Sequence, residues 1–331
     1  MRLPNATGAR AWLRSDALCI AGPARYPGSN SEGIERSEAL QEFVYDRPET
    51  IEDAVAAMAA GEARALAGGT DLIPQLREGR RRAGRVVDLK RIPELTAIAA
   101  LPNGGVSIGA AANATAVSRH AAVAADYPAV AQSARLIGGV QIQNRASLGG
   151  NICNAAPSAD AVPALICLEA RALIAGRGGR REVAVEALFR GPGRTALEPG
   201  EILVSILLPP PQLRSAAKYL RFTPRREMDI AIAGAGTWIR LDADGAFAAA
   251  RIVLASVAPT PIRALSAEEK LTGERPTRAL LEEAGRLAAR EARPISDTRG
   301  SADYRRSLVA VLTARALADC CRSLNVRVEL S

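Results

Sequence analysis

The chain holds a single histidine, His120, and three lysines among 331 residues, and its aromatic side chains amount to 3%. Zinc, copper and non-haem iron sites rest mainly on clustered His and Cys, so no resident metal is expected. The five cysteines are Cys19, Cys153, Cys167, Cys320 and Cys321, without a Cys-x-x-Cys pair. Their odd number argues against a disulfide framework, and they do not supply the four clustered ligands of an iron–sulfur centre. The vicinal Cys320-Cys321 pair reads as packing on a helix, and His120 as a residue on a polar helix face.

Other absences narrow the field. No apolar run approaches the ~18 residues that span a bilayer. Arg2, Arg10 and Arg14 are not followed by a secretory apolar stretch, so the expectation is a cytoplasmic protein. Neither a Gly-x-x-x-x-Gly-Lys-Ser/Thr loop nor a Gly-x-Ser-x-Gly elbow occurs. Gly234-Ala235-Gly236 begins like a nicotinamide fingerprint, but Ile239 stands where the last glycine belongs and the segment reads as a strand. The net charge of +8 is spread along the chain with no aromatics interleaved, which sets nucleic acid aside. A general arginine bias accounts for it, or a basic face turned toward an acidic partner subunit.

What is present begins with size: 331 residues suffice for two or three domains with full cores. Residues 1–41 read as a disordered extension, with Gly, Pro, Ser and Asn gathered in Ala21–Gly33. Then come a short strand at Phe43–Tyr45, a helix over Ile51–Ala60 capped by Thr50, and a strand Ala63–Leu66. A helix Asp71–Glu78 and a strand Arg85–Leu89 complete a small βαβ unit with parallel strands. Strands at Leu95–Ala99 and Val106–Ala110, helices at Ala116–Ala124, Pro128–Leu136 and Ala161–Glu169, a hairpin around Gly176–Arg181 and a strand Glu201–Leu208 follow. Pro209-Pro210-Pro211 marks a domain boundary. Beyond it, strands at Ala217–Phe222, Ile230–Leu241 and Ala249–Ala258 precede helices at Leu265–Leu271, Thr277–Glu291 and Tyr304–Leu324. The class is α+β.

Two glycine pairs organise this pattern, Ala65-Leu66-Ala67-Gly68-Gly69-Thr70-Asp71-Leu72 and Ser147-Leu148-Gly149-Gly150-Asn151. Each follows an apolar stretch and reads as a loop whose bare main chain lets backbone N–H groups converge on a phosphate. Helices starting at Asp71 and Ser158 would add their N-terminal partial charge. Two such loops about 80 residues apart suit a long ligand held at both ends, such as a dinucleotide. A chain poor in acid–base side chains but rich in cradle suits a cofactor that performs the chemistry itself, as flavins do.

These segments, with Glu201–Ile206 and Arg225-Arg226-Glu227-Met228-Asp229-Ile230, resemble the FAD-binding (medium) subunit of molybdenum hydroxylases, the xanthine dehydrogenase and carbon monoxide dehydrogenase family. The resemblance runs from about Glu42 to the C-terminus. It implies a PCMH-type FAD-binding domain at 42–211, in lobes 42–98 and 99–211, and a C-terminal domain at 212–331 with an antiparallel sheet and packed helices. It implies that Leu66, Ala67, Gly68, Gly69, Thr70, Asp71 and Leu72 serve the FAD pyrophosphate. Ser147, Gly149, Gly150 and Asn151 would wrap the flavin and ribityl part, and Leu203 would pack on the flavin. Asp160 matches a carboxylate that accepts from the cofactor's hydroxyls, or else is a helix N-cap. Arg221 falls where relatives place a cation near the ring, or else is an edge-strand charge.

The cysteine-rich insertion for an iron–sulfur cluster that some relatives carry after the second loop is absent, and Gln143 stands where the family often has Arg. The implied function is non-covalent FAD taking electrons from a small [2Fe–2S] subunit and passing them to an external acceptor. A large subunit would hold the molybdenum cofactor, in a dimer of heterotrimers. The rivals are a stand-alone PCMH-fold flavin oxidase and a structural subunit that has lost FAD.

Overall fold

The computed structural model describes residues 42–226, 228–328 and 330. The disordered extension expected for residues 1–41, and Cys19 within it, lie outside the described residues. Among those described, no helix is long and apolar enough to cross a membrane.

The first sheet is parallel throughout, in the order Val44–Asp46, Arg85–Asp88, Ala63–Leu66. The expected βαβ unit is its core, with the helix Leu72–Arg77 as the crossover. Thr50 Oγ1 accepts from Asp53 N at 3.1 Å and so starts the helix Ile51–Met58, whose first turn carries Glu52 and Asp53. Ile51, Ala54 and Val55 on its buried face pack with Val87 and Leu89, and with Ile202 and Val204 from far along the chain. This small core seals the first sheet to the second.

The second sheet is antiparallel and five-stranded: Ile98–Ala100, Val106–Gly109, Ile202–Leu208, Arg171–Gly176 and Gly179–Ala184. Its central strand is the last one made, which explains the unbroken apolar run Ile202–Leu208. Helices Ala114–Arg119, Ala121–Asp126, Pro128–Arg135, Leu148–Asn154 and Ala161–Cys167 supply buried residues to the same core. Two expectations change here. The strand at Leu95–Ala99 is a short helix Pro93–Thr96 followed by the strand, because Pro93 with its fixed φ opens a helical turn. The helix at Ala116–Ala124 is two helices meeting at His120, so His120 lies at a junction, half-buried, with Nδ1 lacking a partner among the described residues.

The third sheet is antiparallel: Ser215–Phe222, Ala233–Leu241, Phe247–Ala255 and Ile262–Arg263. It is buried on both faces. Ala217, Tyr219, Trp238 and Val253 join the core beneath the helix Ala161–Cys167. The alternate residues Ala235, Ile239, Leu241 and Ile252 pack under Leu265–Leu271, Arg278–Glu291 and Ala302–Ser323. Period-2 alternation therefore separates two apolar sets rather than apolar from polar. Gly236 is required by closeness: a Cβ there would lie 2.9 Å from Pro163 Cβ. Cys320 and Cys321 are buried free thiols in the second of these layers.

Candidate cofactor site

The first glycine segment leaves the parallel sheet as a loop and enters the helix Leu72–Arg77. Gly69 has φ +77°, a left-handed conformation that glycine alone adopts freely. Gly68 answers a different need, since a Cβ on it would stand 1.9 Å from the carbonyl oxygen of Arg145. That glycine lets the first segment press against the chain entering the second. Lys90 fixes the loop's entry: its Nζ donates to Ala67 O at 2.8 Å and pairs with Asp88 Oδ1 at 2.6 Å. Among the described residues, the N–H groups of Gly68, Gly69, Thr70 and Asp71 donate to no protein acceptor. Unpaired backbone donors carry a cost unless water or a ligand meets them.

The second glycine segment corrects the sequence reading. It is not a loop but the first turn of the helix Leu148–Asn154. Ser147 is its N-cap, with Oγ accepting from Gly150 N at 3.0 Å. Gly149 faces protein, for a Cβ there would lie 2.4 Å from Ala110 O. The two segments are tied by a hydrogen bond from Gln75 Nε2 to Asn154 Oδ1 at 3.0 Å.

Between them opens a cleft of about 860 Å³, within the usual size range of cofactor sites. Ala67, Gly68, Gly69, Thr70, Asp71 and Leu72 border it from one segment and Ser147, Gly149, Gly150 and Asn151 from the other. Leu203 borders it from the central strand, where a bulge at Val204 breaks the register, and Ile202 joins it. Leu89, Ala110 and Ala111 add apolar surface. Cys153 also reaches the cleft, and burial pushes its thiol up to about 12. Removal from water raises the Asp71 carboxyl, against the opposing pull of Arg80 and Arg81.

Three predicted residues do not border this cleft. Leu66 turns its side chain into a small core with Leu76, Ala83 and Val86. Asp160 and Arg221 pair with each other, the two side chains being 11% and 7% exposed. Tyr219 Oη donates to the other carboxylate oxygen of Asp160 at 2.9 Å. Burial pushes Asp160 up to about 6, while Arg221 and the Tyr219 hydroxyl pull it down. Asp160 does occupy the N-cap position of the helix Ala161–Cys167, but its side chain caps nothing. Asn151 Oδ1 accepts from Ala161 N at 3.2 Å instead, so a residue read as a ligand takes the cap's work. Arg221 is on an edge strand as expected, yet its charge is buried in an ion pair. The pair pins the third sheet to the helix beside the cleft.

Sequence reasoning missed Lys90, Gln75 and the cleft arginines Arg64, Arg81, Arg177 and Arg194. Lys90 carried a usable signal, being one of three lysines. The arginines carried none in a chain so rich in them.

Residues 40–211 match the family model for the FAD-binding domain in molybdopterin dehydrogenase, and residues 218–320 the CO dehydrogenase flavoprotein C-terminal domain. A xanthine dehydrogenase FAD-binding subunit of Escherichia coli O157:H7 is 32% identical over 287 residues, 86% of this chain and 98% of the relative. The carbon monoxide dehydrogenase medium chain of Afipia carboxidovorans is 35% identical over 278 residues, 83% of this chain and 95% of its own. Among solved structures, carbon monoxide dehydrogenase from Hydrogenophaga pseudoflava superposes with a TM-score of 0.82 at 30% identity, covering 86% of this chain and 99% of that one. The domain matches, the near full-length identity and the shared fold agree, and the chain belongs to the FAD-binding medium subunits of the xanthine and carbon monoxide dehydrogenase family, components of molybdenum hydroxylase-type complexes.

Proposed function

We propose that this chain holds one FAD non-covalently in the cleft and relays electrons from a [2Fe–2S] subunit to an external acceptor, leaving the molybdenum chemistry to a large subunit. The carrying observation is the row of N–H groups from Gly68 to Asp71 that donate to no protein acceptor among the described residues, in a segment bordering a cleft that Leu89, Ala111 and Leu203 also line. Such a row suits a diphosphate, and the apolar wall around Leu89, Ala111 and Leu203 suits a flat ring system. When bound, FAD supplies the redox chemistry, taking up and releasing electrons.

The chain's own residues bind, orient and exclude water. Lys90 holds the loop that carries the diphosphate donors. Ser147 keeps the opposing helix end in place. Asp160 and Arg221 act from behind the cleft, fixing the third sheet against it rather than touching the ring. In this reading 42–98 and 99–211 are the two lobes around the cofactor, and 212–331 buttresses them. His120 does not border the cleft, which supports non-covalent binding.

The purified chain should show flavin absorbance, release about one FAD per chain into the supernatant on acid precipitation, and turn over no hydroxylation substrate alone. Colour that stays with the precipitate, or a colourless chain that fails to take up FAD, overturns this reading.

A further inference from the structure

We propose that Arg64 and Arg81 neutralise the cofactor's diphosphate and so set the cleft's preference for a dinucleotide over an uncharged flavin, an inference that rests on the FAD reading above. Both border the cleft that Gly68–Asp71 faces, as does Asp71 itself. Arg64 Nε donates to Arg82 O at 3.2 Å. Arg81 is held through its backbone, N to Gln75 O at 3.1 Å, and its Nη2 reaches Gly193 O at 3.5 Å. All three partners are carbonyl oxygens.

Among the described residues, neither guanidinium forms an ion pair, although Arg80 between them in the chain pairs with Glu78. Glu62 and Glu198 also border the cleft without pairing to either, and Glu201 is taken by Arg181. Two like charges thus sit within electrostatic reach of one another, and among the described residues Asp71 is the carboxylate that offsets Arg81. Removal from water and the charge of Arg64 both lower the Arg81 pKa, the signature of a cation without a full counterion.

Folding leaves that repulsion standing, and an anion in the cleft would relieve it. The ligand's anion belongs beside the free N–H row, and Arg64 and Arg81 border the same cleft as that row. Backbone donors orient the phosphate oxygens, while the guanidinium groups supply the net charge that neutral amides lack.

The test strips flavin from the full-length chain and titrates FAD and, separately, riboflavin at several salt concentrations, following flavin fluorescence. Wild-type affinity for FAD should fall as salt rises. Arg64→Gln and Arg81→Gln should each weaken FAD about tenfold at low salt and flatten that salt dependence, with a larger effect in the double variant. Riboflavin should bind wild type and variants alike. The Arg64→Lys/Arg81→Lys double variant should recover most of the affinity by restoring charge. An unchanged FAD affinity or salt slope in the glutamine variants overturns the proposal, and so does an equal loss for riboflavin. A wild type that binds no FAD would sink the reading beneath it as well. Full FAD binding by the variants would sink the clamp alone.

Discussion

The two glycine pairs look alike in sequence and do different work in the fold. Gly68-Gly69 sits in a loop, and its second member needs φ +77°. Gly149-Gly150 sits in a helix turn with a serine cap, and neither member has a left-handed φ. In the loop the backbone donors stay free, whereas in the helix turn Ser147 Oγ takes the Gly150 N–H. Yet the pairs share one property: the first glycine of each is a contact point with backbone, Arg145 O for Gly68 and Ala110 O for Gly149. A bare main chain at these positions serves first to bring protein against protein. The cleft is a consequence of that closeness, because the segments that line it could not approach with side chains in between.

The difference can be broken by adding one methyl at a time. Gly68→Ala should do the most damage, since its Cβ would fall 1.9 Å from a carbonyl oxygen that belongs to the other segment. A loss of about 3 kcal/mol or more, with flavin lost as the cleft wall shifts, is the expected result in thermal melts and FAD content. Gly149→Ala, 2.4 Å from Ala110 O, should follow closely. If both melted like wild type and kept their flavin, the closeness argument would be wrong.

Ser147→Ala sharpens the comparison at intermediate size. It removes the cap of the helix turn but leaves the first segment untouched, and should cost about 1 kcal/mol. FAD affinity should fall less than in Gly68→Ala, and an equal fall would mean that the second segment donates more to the ligand than its geometry provides.

The smallest effect belongs to Gly150→Ala. Its Cβ would meet only Ser147 Oγ at 3.1 Å, and alanine is the better helix former. Stability should stay within about 0.5 kcal/mol of wild type with flavin retained. A collapse there would show that the second pair is a ligand-facing loop after all.

Much of the fold was legible because local signals were strong. Thr50 with Glu52 and Asp53 announced a helix start, and the short strand Ala63–Leu66 ahead of a glycine pair announced the βαβ unit. The hairpin at Gly176–Arg181 and the strands after the triple proline were also legible from alternation and turn residues. The site was less so. A Gly-Gly pair reads the same whether it ends a strand or starts a helix, and the deciding residue, the Ser147 cap, is common in loops too. Asp160 and Arg221 meet from positions 61 residues apart, so no local pattern could say that they satisfy each other. Arg64 and Arg81 were hidden by a background of similar side chains, and only their place at the rim of the cleft distinguishes them.

The amino-acid sequence by itself marked this chain as poor in histidine and in nucleophilic motifs, and rich in bare backbone at two places that suit a cradle. Composition and spacing are local quantities, and they suffice for statements of that kind. Only the tertiary structure decided which N–H groups stay free, which charges find partners and which residues face the cleft. Those depend on distances between segments far apart in the chain, and backbone closeness at Gly68 and Gly149 is what sets them.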